Sequence, residues 1–497
     1  MSSVNKNITI NSSGKTLPYD RYFQECIGSC HAYLALREDY REHLRLVQKE
    51  IGFKRLRFHG LFCEDVGICL KRGGKILPYN FQNIDKIFDF LLSVNIRPFV
   101  ELGFMPGALA KTNERLCFVY EGYISPPRDY TEWQALIQAC LRHWIERYGL
   151  SEVLTWYFEV WNEPDLQGAF FSGSREDYFL LYEMTARAVK SVDERLMTGG
   201  PATSKNLWIS EFIDYCSRKN VPVDFVSTHH YCSEIALSVD GKGDFAYRGQ
   251  KIMAGEVDST VKKVKASALP NLEILYTEWN TTPIHVDSFG KDSEFTAAFV
   301  LETVRSNSHK IKAYSFWTFS DIFEESGPAA APFAGRYGLV NIYGIKKPVF
   351  HAWLALANMY DSEIETAEKS LIVTKTYSGN IRLVSWLLTE PLKTDFTGED
   401  WLIPEEQKEE NITLENINGI YRVKAWTVNN KSGNAFRAWQ NMGKPQYPSK
   451  EQIEMLHKDS DPKTFKDEIV NCTGELALVH TLTQNSFIYY DIEKIRM

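Results

Sequence analysis

The sequence predicts a (β/α)8 (TIM) barrel joined to an accessory β-sandwich that carries a small helical insertion. Two observations support this fold class. Between about residue 20 and residue 360, eight short apolar or β-branched runs alternate with amphipathic helical patterns, as the strands and helices of such a barrel do. After about residue 360 the pattern changes to strand-like runs separated by turns, which is typical of a β-sandwich.

The runs predicted as barrel strands are rich in Val, Ile and aromatic residues. They span residues 25–28, 55–60, 96–103, 155–162, 197–201, 224–229, 273–280 and 313–319. The helical patterns between them span residues 37–51, 84–94, 130–148, 175–192, 207–219 and 295–308. A doubly wound open sheet is the competing fold, but it would normally carry a Gly-x-Gly-x-x-Gly phosphate turn, which this sequence lacks.

The accessory domain is predicted from later strand-like runs and from the N-terminal residues, which we expect to join it. The later runs span residues 370–377, 381–388, 421–428 and 476–482. Two helical stretches separated by Gly443-Lys444-Pro445 interrupt them. The predicted division is a catalytic barrel at 21–355, an accessory domain made of 1–20 and 356–497, and a helical insertion at 434–460.

Composition narrows the class of protein. The 497 residues include 56 basic and 64 acidic side chains, a net charge of −8, so no broad cationic surface is expected and nucleic acid is an unsuitable partner. The nine cysteines show no pairing pattern and predict buried free thiols. The first residues lack an apolar signal segment, and no apolar run is long enough to span a membrane. We therefore expect a cytoplasmic protein without a membrane partner.

Polar and aromatic side chains collect where the predicted barrel strands end, which is the face that carries function in such barrels. Strand four ends in Asn162-Glu163-Pro164, and the proline keeps Glu163 out of a helix. Strand seven ends in Thr277-Glu278-Trp279. The other candidates at strand ends are Arg57, His59, His229, Trp317, Glu324 and Glu325.

Glutamates on strands four and seven face each other across a barrel mouth. Retaining glycoside hydrolysis uses two carboxyl groups about 5–5.5 Å apart, one as nucleophile and one as proton donor. Aromatic walls and a second carboxylate raise the pKa of a carboxyl group, which suits Glu163 as the acid beside Trp161. Glu278 would be the nucleophile and Arg57 its cationic neighbour, while Asn162 could hydrogen-bond the sugar's 2-hydroxyl. No cofactor is required.

Each candidate also has a structural explanation. Asn162-Glu163-Pro164 taken alone fits an ordinary strand-to-helix turn. His229 and His230 could be metal ligands, but neighbours on a strand point to opposite faces and no His-Glu-x-x-His motif is present, so we predict no metal site. Glu324 and Glu325 could lie on a solvated loop, and Trp317 could simply fill the barrel.

The sequence resembles glycoside hydrolase family 39, and within it the bacterial β-xylosidases, over nearly its whole length. The similar segments include the motif that ends in Asn162-Glu163-Pro164 and extend into the accessory domain. They span residues 46–53, 57–60, 103–110, 158–164, 222–229, 317–325 and 433–439.

The resemblance implies residue roles and an activity. Glu163 would be the acid/base and Glu278 the nucleophile of an exo-acting β-xylosidase that acts on short xylo-oligosaccharides. The residues implied to line the terminal sugar's subsite are Arg57, His59, Asn162, His229, Trp317, the aromatic Phe118, and Glu324 or Glu325. The family often assembles as tetramers, so a homo-oligomer is expected.

Two departures from the family leave the specificity open. The β-xylosidases usually continue after the nucleophile with an aromatic in a Thr-Ser-Tyr-Ser-Pro-like segment, where this chain has Asn280-Thr281-Thr282-Pro283-Ile284-His285. Ala169 stands where an aromatic residue is expected after the acid/base. The alternatives are a β-glucosidase, a β-galactosidase, an arabinose-directed enzyme, an α-L-iduronidase, or a glycan-binding protein without catalysis.

Overall fold

The computed structural model describes residues 2–237, 243–394, 396 and 401–495, so parts of the predicted domain spans lie outside the described residues. Eight parallel strands close into a barrel in chain order, which confirms the predicted fold class. The barrel strands are Ile27–His31, Arg55–His59, Arg97–Leu102, Tyr157–Val160, Met197–Thr203, Phe225–Tyr231, Glu273–Asn280 and Ala313–Phe316.

Helices surround the barrel, and several begin at side chains that cap them. The helix Arg175–Val192 starts with a reciprocal capping box between Ser174 and Asp177, and Asp129 accepts a hydrogen bond at the start of Tyr130–Tyr148. The other helices of this part of the chain are Glu38–Glu50, Gln82–Ser93, Leu150–Val153, Ile209–Lys219, Lys251–Lys265, Ser288–Asp292, Glu294–Asn307 and Pro348–Ala357.

The inside of the barrel changes character along its axis. Near the amino ends of the strands a small apolar cluster fills it, formed by Cys26, Phe99, Tyr157, Phe225, Leu275, Ala313 and Met197. Toward the carboxyl ends, inward positions carry charge instead, and Glu101 lies directly beside Glu159 in the register of neighbouring strands. The apolar cluster therefore closes one end of the barrel, and the charged layer lies beneath the functional face.

The accessory strands form one mixed eight-stranded sheet around a core of their own. Ser2–Asn11 pairs in parallel with Glu406–Val428, and Thr16–Pro18 pairs with Ser362–Ile364. The remaining strands are Leu371–Lys375, Ile381–Leu387, Lys463–Thr483 and Ser486–Lys494. The proposed domain bounds stay a prediction.

Two accessory strands are far longer than the sequence indicated. The runs predicted at 421–428 and 476–482 are the ends of strands of 23 and 21 residues. The other half of the first strand, 406–420, sets a few buried residues among polar ones, and that of the second, 463–475, is mostly exposed. Both therefore lack the apolar density that marks a strand in sequence.

The helical insertion consists of Ala435–Asn441 and Lys450–Ser460. It packs against the barrel chain, because Phe436 and Trp439 contact Phe333 in a separate apolar cluster. None of the helices in the described part of the chain has the length and apolar character needed to span a bilayer.

Candidate active site

A pocket of about 290 Å³ opens at the carboxyl ends of the barrel strands. Most of the residues proposed from the sequence line it, together with side chains from the loops that follow the strands. Its lining comprises His59, Cys117, Phe118, Asn162, Glu163, Leu166, Phe170, Ser204, Lys205, Tyr231, Ser233, Glu278, Pro283, His285, Trp317, Glu325 and Tyr337.

Glu163 lies just beyond the fourth barrel strand and is 8% exposed. Its backbone has a φ of +43°, in the left-handed region that non-glycine residues rarely adopt, and its N–H donates to the Ala202 carbonyl at 2.8 Å. Its Oε1 is 2.9 Å from His229 Nδ1. Burial, and then the charge of Glu278, raise the pKa of Glu163 well above its usual range, so this carboxyl group is protonated at neutral pH.

Glu278 lies on the seventh barrel strand and is surrounded by donors. Arg57 Nη1 donates to its Oε1 at 2.9 Å, the Tyr231 hydroxyl donates to Oε2 at 2.8 Å, and His59 Nε2 is 3.3 Å from Oε1. Burial alone would raise the pKa of Glu278, but the charge that His229 gains in acid, together with the charges of His59 and Arg57, holds it below its usual range. Glu278 is therefore ionised at neutral pH while Glu163 holds a proton.

The two carboxyl groups are close enough to act on one bond. Carboxylate oxygens of Glu163 and Glu278 and a ring nitrogen of His229 lie within 4.8 Å of one another. Such a trio could hold a metal ion, but the guanidinium of Arg57, 2.9 Å from the other oxygen of Glu278, would repel a cation. A protonated acid facing an ionised carboxylate at this separation fits retaining glycoside hydrolysis.

Arg57 is fully buried and holds this end of the barrel together. Its Nε donates to Glu159 at 2.6 Å, and its Nη2 is 3.0 Å from Glu101 and from Asn162 Oδ1. Burial opposes its charge, but the surrounding carboxylates raise the pKa of Arg57, so it stays protonated. Glu101 and Glu159 had no place in the sequence analysis, because a charged residue inside a strand does not reveal which way it points.

We expect Arg57→Met to lower the free energy of unfolding by about 3–5 kcal/mol, because three buried carboxylates would lose the cation they share. Urea denaturation followed by circular dichroism would measure the change. Arg142→Met, at an exposed helical position, is the matched control and should leave the unfolding curve unchanged. Equal curves for both variants would contradict the role of Arg57 in neutralising this layer.

The histidines of the site are held in different charge states. His59 Nδ1 is 2.6 Å from Glu101, and although burial disfavours its charge, Glu101 and Glu278 raise the pKa of His59 to about 10. Burial lowers the pKa of His229 to about 4, so this ring is neutral beside Glu163. The next residue, His230, points the other way and contacts Glu256 and Tyr314, as the alternation of a strand requires.

The remaining predicted residues are placed unequally. The rings of Trp317 and His59 pack together with their centroids 4.7 Å apart. Gly28 leaves the space for the indole, since a Cβ at that position would lie 2.5 Å from it. Phe118 lies against Phe170 on the pocket wall. Glu325 is buried in the pocket, whereas Glu324 lies outside the pocket lining and faces Arg37 at 3.5 Å. Of the two neighbouring glutamates, the structure therefore brings only Glu325 to the site.

A family model for glycosyl hydrolases family 39 matches residues 6–477. The chain belongs to this family. The chain is similar to a β-xylosidase of Caldicellulosiruptor saccharolyticus, 39% identical over 92% of both chains, and to one of Geobacillus stearothermophilus, 36% identical over 99% of this chain and 96% of the relative. The structure of a monomeric β-xylosidase from Caulobacter crescentus superposes with a TM-score of 0.92 at 31% identity, covering 99% of this chain and 100% of the other.

As a member of family 39, the chain is a glycosidase. The two departures from the family's sequence pattern lie at or next to its pocket. Pro283 and His285 both line the pocket, so the first departure reshapes the wall of the site. Ala169 is absent from the lining, but the next residue, Phe170, supplies an aromatic ring there.

Some residues that line this family 39 site were not predicted from the sequence. Tyr231 lies two residues beyond the run predicted as strand six, and its hydroxyl contact with Glu278 depends on folding. Ser204 and Lys205 reach the pocket from the loop after strand five, which carried no sequence motif.

Proposed function

We propose that this family 39 glycosidase is a retaining, exo-acting β-xylosidase that releases xylose from the non-reducing end of short xylo-oligosaccharides, such as those formed in xylan degradation. One observation carries the proposal: Glu163 and Glu278 approach within 4.8 Å, and Arg57 and Tyr231 donate to Glu278. Burial and Glu278 raise the pKa of Glu163, whereas the cations around Glu278 lower its pKa. The choice of xylose is supported by the two relatives named β-xylosidase, at 36–39% identity over more than nine-tenths of the chain.

In the first step a Glu278 oxygen attacks the anomeric carbon. The bond from that carbon to the leaving oxygen breaks, and the leaving oxygen takes the proton of Glu163. The product is a glycosyl ester on Glu278 with inverted anomeric configuration. The donors around Glu278 keep it ionised before the attack, and the tyrosine hydroxyl at Oε2 and the arginine at Oε1 fix its orientation.

In the second step the glycosyl ester is hydrolysed. Glu163, now a carboxylate, removes a proton from water as the water oxygen attacks the anomeric carbon, and the bond to Glu278 breaks. Two inversions give net retention. Glu163 changes from acid to base readily because esterification removes the negative charge of Glu278, which is one of the two main causes of its raised pKa.

Asn162 and the inner wall of the pocket suit a terminal sugar. The Asn162 carbonyl oxygen accepts from Arg57, which leaves its amide hydrogens to donate to the 2-hydroxyl. Trp317 and Glu325 are 2% and 5% exposed at the pocket wall and offer an aromatic face and a carboxyl group. A pocket with such buried walls favours the end of a sugar chain over its interior.

The test is a set of hydrolysis rates on purified protein. We expect kcat/KM to be highest for an aryl β-D-xyloside among the corresponding β-D-glucoside, β-D-galactoside, α-L-arabinoside and α-L-iduronide. NMR of the reaction should show β-xylose as the first product. The Glu278→Ala protein, prepared in the same way, controls for contaminating activity. Faster hydrolysis of another glycoside would reassign the specificity, and α-xylose as first product would exclude retention.

Compartment and assembly belong to the same proposal. All nine cysteines are free thiols, and eight are buried, which is compatible with a reducing cytoplasm and imported oligosaccharides. The tetramer that the family resemblance implies stays a prediction. Light scattering of the purified protein would decide between it and the monomeric state described for the Caulobacter crescentus relative.

A further inference from the structure

The pocket wall at residues 283–285, where the sequence departs from its family, is held by three side chains. Consecutive backbone carbonyls each accept a hydrogen bond from a different donor. The donors are the Tyr337 hydroxyl to Pro283, Lys291 Nζ to Ile284, and Arg336 Nη1 to His285 at 3.2 Å.

The donors to this wall are themselves fixed by burial. Lys291 is 2% exposed, and its ammonium lies 4.4 Å from the centroid of the Tyr337 ring. Tyr337 also lines the pocket, and its ring lies beside the His285 ring with the ring centroids 5.6 Å apart. A wall held through its carbonyls in this way keeps the imidazole of His285 in one place.

The contacts of His285 also fix which nitrogen carries its hydrogen. Arg336 donates to Ser326 Oγ, and that hydroxyl lies 3.1 Å from His285 Nδ1. Because the guanidinium can only donate, the hydroxyl hydrogen is free for Nδ1, which then acts as acceptor. Burial lowers the pKa of His285 to about 3, so the ring is neutral and its single hydrogen is on Nε2.

Opposite this nitrogen lies the carboxyl group of Glu325, whose Oε1 is 3.8 Å from His59 Nε2. His285 Nε2 is 3.7 Å from Glu325 Oε2, which is too long for a direct hydrogen bond but lets one hydroxyl, lying to the side of both atoms, hydrogen-bond to each. Glu325 Oε1 is buried and has no hydrogen-bond partner among the described residues. Buried polar atoms are normally satisfied, so this arrangement points to a hydroxylated ligand.

We propose that His285 is a specificity-determining residue of this enzyme, donating from Nε2 to one hydroxyl of the bound sugar that Glu325 also contacts. The inference rests on the proposed function, because it assigns a sugar to the pocket. Lys291 and Arg336 are then positioning residues, because they hydrogen-bond the backbone of residues 283–285 and so hold the His285 ring in place.

The test measures kcat/KM for His285→Phe on an aryl β-D-xyloside and on its 2-, 3- and 4-deoxy forms. The substitution keeps a ring and removes the donor, so we expect roughly a tenfold loss on the parent substrate, the size of one hydrogen bond. On the deoxy substrate that lacks the hydroxyl contacted by His285, the same substitution should change kcat/KM less than about twofold, since the hydrogen bond is already missing. His285→Gln, which retains an N–H donor, should keep most of the parent activity.

The outcomes separate this inference from the proposed function. An equal loss on all four substrates, or no loss on the parent, would show that His285 only fills space and would overturn the inference. Failure of the unmodified protein to hydrolyse any of the xylosides would overturn the proposed function, and the sugar contact of His285 with it. His457→Phe, at an exposed helical position of the accessory domain, is the matched control and should leave all four values unchanged.

Discussion

Glu278→Ala should reduce turnover of every substrate by at least roughly 10⁴-fold, because Glu278 is the nucleophile of the proposed covalent step. The geometry makes this the largest effect expected. Glu278 is the ionised member of the pair, its two oxygens are oriented by Arg57 and Tyr231, and it lies within 4.8 Å of the protonated Glu163. Initial rates on an aryl β-D-xyloside measure the loss.

Azide distinguishes loss of the nucleophile from general damage. In the Glu278→Ala protein, azide can occupy the space of the missing carboxylate and attack the anomeric carbon once, which should restore activity and give the inverted α-xylosyl azide. Glu146→Ala, at an exposed position on the helix Tyr130–Tyr148, should behave as the unmodified protein. Undiminished hydrolysis by Glu278→Ala would remove this residue from the mechanism.

Much of the barrel could be predicted because its strands are buried on both faces. Runs such as residues 155–162 and 273–280 are rich in aromatic and aliphatic residues without a helical period, so they stand out from the amphipathic helices between them. The helix Lys251–Lys265 was missed because no side chain caps its start and its sequence is largely polar and charged. The long accessory strands were shortened in the prediction because their first halves are mostly polar.

The candidate site was predictable where a residue ends a strand and less so where partners meet across the barrel. Glu163 and Glu278 end strands in sequence, and parallel strands bring their ends to one face. Sequence could not show that Glu101 and Glu159 neutralise Arg57, since these contacts join residues far apart in the chain. Nor could the sequence show which of Glu324 and Glu325 enters the pocket, because the directions of two adjacent loop side chains are set only by the folded backbone.

Glu163→Ala should show a loss that depends on the leaving group. For xylobiose, whose leaving oxygen needs a proton, we expect kcat/KM to fall by about 10³-fold, within the range of general acid catalysis. For an aryl xyloside with an acidic phenol, kcat/KM should fall far less, because such a leaving group departs without protonation. Steady-state rates on both substrates provide the comparison, and equal losses on both would contradict the acid role.

The pH dependence gives a second test of Glu163. Burial and the charge of Glu278 raise its pKa, so the proton it donates is present below that pKa and is lost as the pH rises through it. For xylobiose, kcat/KM of the unmodified protein should therefore decline on the alkaline side, and the decline should be absent in Glu163→Ala.

Azide should restore activity to the Glu163→Ala protein and give the retained β-xylosyl azide, because Glu278 still forms the covalent intermediate and the small anion replaces the activated water. An inverted product would assign the two glutamates the opposite way.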